Sequence, residues 1–227
     1  MSELFSIQLQ NRQQQGRDGV WLDLPTTTEQ VQAALRQIGI SSDNPQGLFI
    51  SGYFAEEEKR FAIPYNMVLA SNVDELNFLA SRLETLSTGE RAELNAALQV
   101  PQSELSSIGR ITDFPENVDY YVHLPDVRGP AQLGDYYLNR SGMVDMPEEW
   151  KGGIDTAQFG RYVAQQEQGV FTEYGYLVKS GDAWQKVHEG QSVPEEYRVL
   201  SFPAPEILRD AANIPPPVQP ETEPQKV

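Results

Sequence analysis

The sequence predicts an α+β protein of three small domains. Three observations carry that reading. Strand-like alternation opens the chain over residues 5–10 and returns over 20–24. Two capping boxes then introduce helical runs between residues 72 and 98. Strand character resumes after residue 118, followed by helices and a short hairpin. The expected units are residues 1–65 (antiparallel sheet plus helix), 66–112 (helical) and 113–202 (mixed sheet and helix), with a Pro-rich tail over 203–227.

Each element has a local cause. Residues 5–10 (FSIQLQ) alternate apolar and polar, the period of a half-buried strand, and Asp18-Gly19 marks a turn before the returning strand VWLDL at 20–24, closed by Pro25. Thr27 or Thr28 caps a helix with Val31, Ala34, Leu35 and Ile38 on one face, stopped by Gly39. Residues 48–54 (LFISGYF) read as a third strand. In the middle unit, Asn72 and Glu75 form a capping box for a helix over 72–86, and Ser87 and Glu90 do so for one over 90–98. Ser103 is expected to start a short helix through Ile108.

In the last unit, 118–124 (VDYYVHL) reads as a strand and 132–139 as a helix ending near Gly142. Asp155 caps a further helix to about Gln166, with Gln158 in the box position and Gly169 after its end. Residues 170–174 and 176–179 form a hairpin around Gly175. The stretch 184–202 allows a strand near 197–202. Seven of the 16 prolines fall in the last 25 residues, so the tail is expected to be extended, with at most one helical turn near Ile207.

Composition limits the chemistry. There are 33 Asp+Glu against 17 Lys+Arg, a formal net charge of −16, spread over the length of the chain. Such a surface repels nucleic acid and attracts proteins that hold polyanions. Solubility alone would also explain it. The absence of cysteine excludes disulfides, thiolate metal sites and thiol nucleophiles. Neither a signal peptide nor a membrane span of about 20 apolar residues is visible, so a soluble, cytoplasmic protein is expected.

No phosphate-binding loop, dinucleotide fingerprint, HExxH or GxSxG motif occurs. His123 in a strand and His188 in a polar loop make a poor zinc site, and no triad is suggested. With this many acids some carboxylate pair will always meet glycosidase spacing, so an acidic hydrolase remains a weak reading. No catalytic residue, cofactor or metal ligand is assigned.

Three stretches carry a family resemblance. They are GVWLDL at 19–24, the Leu-spaced ELNFLASRLETLSTGERAELNAAL at 75–98, and YYLNRSGMVDMPEEW at 136–150 leading into IDTAQFGRYVAQQEQGVFTEYGYLV at 154–178. The last contains the pattern I-D-x-x-x-[FY]-G-R before a hairpin. In this order, across residues 4–179, the sequence resembles the ArdA antirestriction family. The resemblance implies a non-catalytic protein of mobile elements that imitates duplex DNA. Such a protein occupies the DNA groove of type I restriction–modification enzymes, contacting their specificity and modification subunits, and dimerises through its last domain. It also implies the same three-unit layout, as an elongated array of three small domains. Two departures stand out. Residues 50–54 (ISGYF) replace an acidic His-Asp-Tyr-Glu-like stretch, and the chain runs well past Val178.

Under that resemblance the phosphate-mimicking acids are expected to be Glu56, Glu57, Glu58, Asp119, Asp126, Asp135, Asp145, Glu148 and Glu149. Three units of ~60 residues, each roughly 27 Å across, would span about 80 Å. Duplex DNA of that length carries on the order of 47 phosphate charges. A net charge of −16 is about a third of that, so mimicry must rest on placement, with the bases elsewhere or in pairs. The rival reading is an acidic adaptor of a mobile element whose Pro-rich tail binds a partner. Deleting residues 203–227 would separate the two.

Overall fold

The computed structural model describes residues 4–14, 18–56, 60–101 and 103–205. Alternation in β1 (Phe5–Asn11) turns Phe5, Ile7 and Leu9 into the core and leaves Ser6, Gln8 and Gln10 half-exposed. β2 (Val20–Leu24) and β3 (Leu48–Phe54) flank it in an antiparallel sheet of order β2-β1-β3, with Phe5 opposite Leu24 and Ser6 opposite Phe54. α1 (Thr28–Gln37) covers the sheet with Val31, Ala34 and Leu35. Its cap is Thr27, whose hydroxyl accepts the Gln30 N–H while the Gln30 side chain accepts the Thr27 N–H.

The middle of the chain is helical. α2 (Tyr65–Leu69), too short to show a period, precedes α3 (Val73–Glu84) and α4 (Thr88–Gln99), and the latter two open on the capping boxes read from the sequence. The helix expected from Ser103 forms later, as α5 (Ile108–Thr112). The Ser103 hydroxyl is spent on the Leu105 N–H, and Ser107 caps the helix through the Arg110 N–H.

The last unit departs from expectation at its start. A 3-10 turn at Phe114–Glu116 takes the Asn117 amide and a following turn bonds the Tyr120 N–H to the Asn117 carbonyl, so β4 covers only Tyr121–Leu124. The helix expected over 132–139 begins and ends differently, as α6 (Pro130–Asp135) running into a π turn at Tyr136–Arg140. A short α7 (Glu148–Lys151) follows. α8 (Thr156–Glu167) starts where Asp155 Oδ1 accepts the Ala157 and Gln158 N–H groups at 2.9 and 3.0 Å. β5 (Val170–Thr172) and β6 (Gly175–Lys179) form the hairpin, and the second sheet has the order β4-β6-β5, antiparallel throughout.

α6 and α8 cross backbone to backbone. A Cβ on Gly160 would lie 1.8 Å from the Pro130 carbonyl oxygen, and one on Gly134 would lie 1.9 Å from that of Thr156. The glycine of the I-D-x-x-x-[FY]-G-R pattern is therefore a packing requirement. The left-handed residue after α8 is Gln168. Gly169 is needed for a different reason, because the Tyr176 ring presses against it.

One buried cluster runs from the first sheet through α1, α3, α4 and α5 and reaches Tyr120, Tyr121, Leu177 and Val199. A second, small cluster holds Val127, Leu133, Ala164 and Tyr176 in the last unit. Residues 180–205 return across the helical unit to α1. The strand expected near 197–202 does not form: Glu195–Tyr197 is a 3-10 turn, and the Val199 and Leu200 amides both bond Asp74 Oδ1 at 2.7 Å. Pro203, expected to begin the tail, is buried, and its carbonyl accepts the Ser42 N–H at 3.0 Å. The turn expected near Ile207 lies outside the described residues.

Candidate functional site

The acids singled out by the sequence fall on two parts of the molecule. Glu56 is exposed just past β3, on a shallow depression shared with Asp23 of β2. Glu57 and Glu58 lie outside the described residues. In the last unit Asp119 and Asp126 are exposed on the turns either side of β4, and Asp145 on the loop before α7. Glu149 is exposed in the first turn of α7, where the helix dipole favours an anion.

Asp135 and Glu148 have cationic partners. Asp135 accepts from Asn139 at 2.8 Å and pairs with Arg140 at 3.1 Å. Glu148 pairs with Lys151 at 2.6 Å. Sequence reasoning missed Asp23, whose Oδ1 accepts from the Ser6 hydroxyl at 2.5 Å. Strand alternation could have flagged it, since an acid between Leu22 and Leu24 must face out.

A group of bases on the helical unit and at its junction with the last is paired with acids. Arg110 bridges Glu104 and Glu189, each at 2.7 Å, and holds the Glu189 carboxyl below its usual range. Lys186 adds to Glu189 at 3.2 Å, Lys179 reaches Glu104 at 3.5 Å, and Arg82 pairs with Glu116. An ion pair has a dipolar field that fades faster than that of a lone charge. Pairing at this junction therefore mutes the field of Glu104, Glu116 and Glu189 at a distance.

Other acids serve the fold. Both oxygens of Glu167 accept buried hydroxyls, from Tyr137 and, at 2.9 Å, from Tyr176. Burial, then donation to that carboxylate, raises both phenols well above their usual range. Glu93 on α4 is pushed up to about 8 by burial, then by the charges of Glu90 and Asp119. It therefore carries little charge at neutral pH.

A concavity of about 550 Å³ lies between the helical unit and residues 188–193 and holds none of the chosen acids. Its two carboxylates are occupied, Glu75 by the Asn72 N–H and Glu189 by Arg110 and Lys186. Arg110 holds the Glu189 carboxyl low, the opposite of the raised carboxyl that acid–base hydrolysis uses as its acid. Both histidines have structural contacts. His123 Nε2 meets the Tyr174 carbonyl at 2.9 Å, and the His188 ring stands edge-on to Phe78 at 4.9 Å. Among the described residues no cluster of His, Asp and Glu could hold a metal ion, and no helix is long and apolar enough to cross a membrane.

The family model described as Antirestriction protein (ArdA) matches residues 15–178. The match takes in β2 through β6 but omits β1, the central strand of the first sheet, and the returning segment 180–205. No curated protein matches the chain.

Proposed function

The chain belongs to the ArdA antirestriction family, and on that premise we propose that it inhibits type I restriction–modification enzymes by presenting carboxylates where duplex DNA presents phosphates. The supporting observation is a set of exposed carboxylates on two units: Asp23 and Glu56 on one, and Asp119, Asp126, Asp145 and Glu149 on another. Arg82, Arg110, Lys179 and Lys186 are meanwhile paired with other acids. The occupant displaced would be DNA, from the groove formed by specificity and modification subunits. The action is stoichiometric binding and involves no bond making. A second copy docks on the last unit, where Met143, Trp150 and Tyr162 expose large apolar side chains.

Adding the protein to ATP-dependent type I cleavage should abolish cutting near stoichiometry, and raising salt should restore it steeply, as for contacts that replace phosphates. Undiminished cleavage at large molar excess, across several type I enzyme families, would overturn the proposal.

A further inference from the structure

We infer that Asp74, Asn77, Asp113 and Asn117 are positioning residues: they clamp residues 180–203 across the helical unit and so hold the two sheets at one fixed separation. The segment forms no strand, so its amides lack a ladder, yet a buried amide must find a partner. Side chains of the helical unit and the turn after it supply that ladder. Asn117 accepts the Gln185 N–H at 2.7 Å and donates to its carbonyl at 3.0 Å, as a strand neighbour would. Asp113, fully buried, accepts the His188 and Glu189 N–H groups at 2.6 and 3.3 Å. Asp74 accepts from both Val199 and Leu200 at 2.7 Å. Asn77 donates to the Tyr197 carbonyl at 3.0 Å and accepts the Thr26 N–H at 2.7 Å, tying the first unit, α3 and the strap at one side chain.

The two ends reach the two sheets. The Ser180 N–H bonds the Tyr120 carbonyl at 2.9 Å beside β4, and Gln32 of α1 donates to the Ser201 hydroxyl at 3.1 Å. A buried carboxylate without these amides would be costly, so each anchor fixes its stretch of chain in register. Only the consequence drawn for function rests on the proposal above: acids on separate units can meet one rigid partner only if their spacing is constant.

The chain has no cysteine, so Ala33→Cys on α1 and Gln165→Cys on α8, both exposed, give two unique spin labels. The parent should give one narrow distance distribution. Asp74→Ala with Asp113→Ala, which leave those amides without an acceptor, should at least double its width and speed amide exchange at His188, Glu189, Val199 and Leu200 at least tenfold, with α3 amides unchanged. Asp119→Asn, which removes an exposed charge, should alter neither reading. If the double variant also loosens α3, Asn117→Ala carries the same expectation. An unchanged width or unchanged strap exchange in a folded variant overturns the inference. A parent chain that fails to block cleavage would overturn the functional reading and leave these distances standing.

Discussion

The first sheet with its helices and the last unit are stabilised in different ways. The first shares a long apolar core with the helical unit, in which Ile7, Leu9, Leu35, Leu76, Leu79 and Leu83 are fully buried. The last has its own buried cluster of only four residues, Val127, Leu133, Ala164 and Tyr176. It is held instead by a close glycine crossing, a carboxylate between two phenols and a three-stranded sheet leaning on Tyr120 and Tyr121. A large core tolerates an imperfect contact because many others remain. A unit resting on a few specific contacts does not. The contrast matters for function, since most of the candidate acids sit on the weakly cored unit.

The sharpest way to break the comparison is Gly160→Val. Its Cβ would overlap the Pro130 carbonyl, so α6 and α8 must separate, at a cost of about 4 kcal/mol or more. Amide exchange should rise across α6, α8 and β5 while α1 and α3 keep their protection. Uniform loss across the chain would show that the two regions do not differ. Leu79→Ala tests the other side. Removing this fully buried side chain should cost about 3 kcal/mol, and thermal unfolding should still show the first sheet and helical unit melting together. Separate melting of α1 and α3 would contradict a shared core.

The smallest effect is expected at Glu93→Gln. The folded-state pKa of about 8 lies above the ordinary 4.5, so the folded chain keeps a proton that the unfolded chain releases. That contribution is complete below pH 4.5 and is lost as pH rises through about 8. Glutamine never ionises, so the variant should melt about 2–4 °C higher at pH 8.5 and nearly unchanged at pH 5. An equal shift at both pH values would place the effect in packing.

Legibility followed the range of the cause. Capping at Thr27, Asn72, Ser87 and Asp155 is settled within three residues, and the three-strand pattern of the first sheet follows from alternation and turns. The shift of α5 turned on which of two serines captures a nearby amide, a competition propensity does not rank. The candidate acids were readable as acids and, for Asp126, Asp145 and Glu149, as residues between expected elements, whereas Asp119 falls in an expected strand and lies on a turn. Their partners were less readable. Glu148 and Lys151 lie at helical spacing, but α7 was unseen; Asp135 and Arg140, five apart, meet only because the chain makes a π turn there.

The sequence by itself determined the mixed α+β composition, most element positions, the strong negative charge and the family pattern, because each is written in neighbouring residues. Tertiary structure alone decided which carboxylates remain at the surface and which hold the chain together. Asp74 and Asp113 look like any other acid in the sequence. They bind amides 75 to 126 positions away, and an amide carries no side-chain identity for a pattern to reveal.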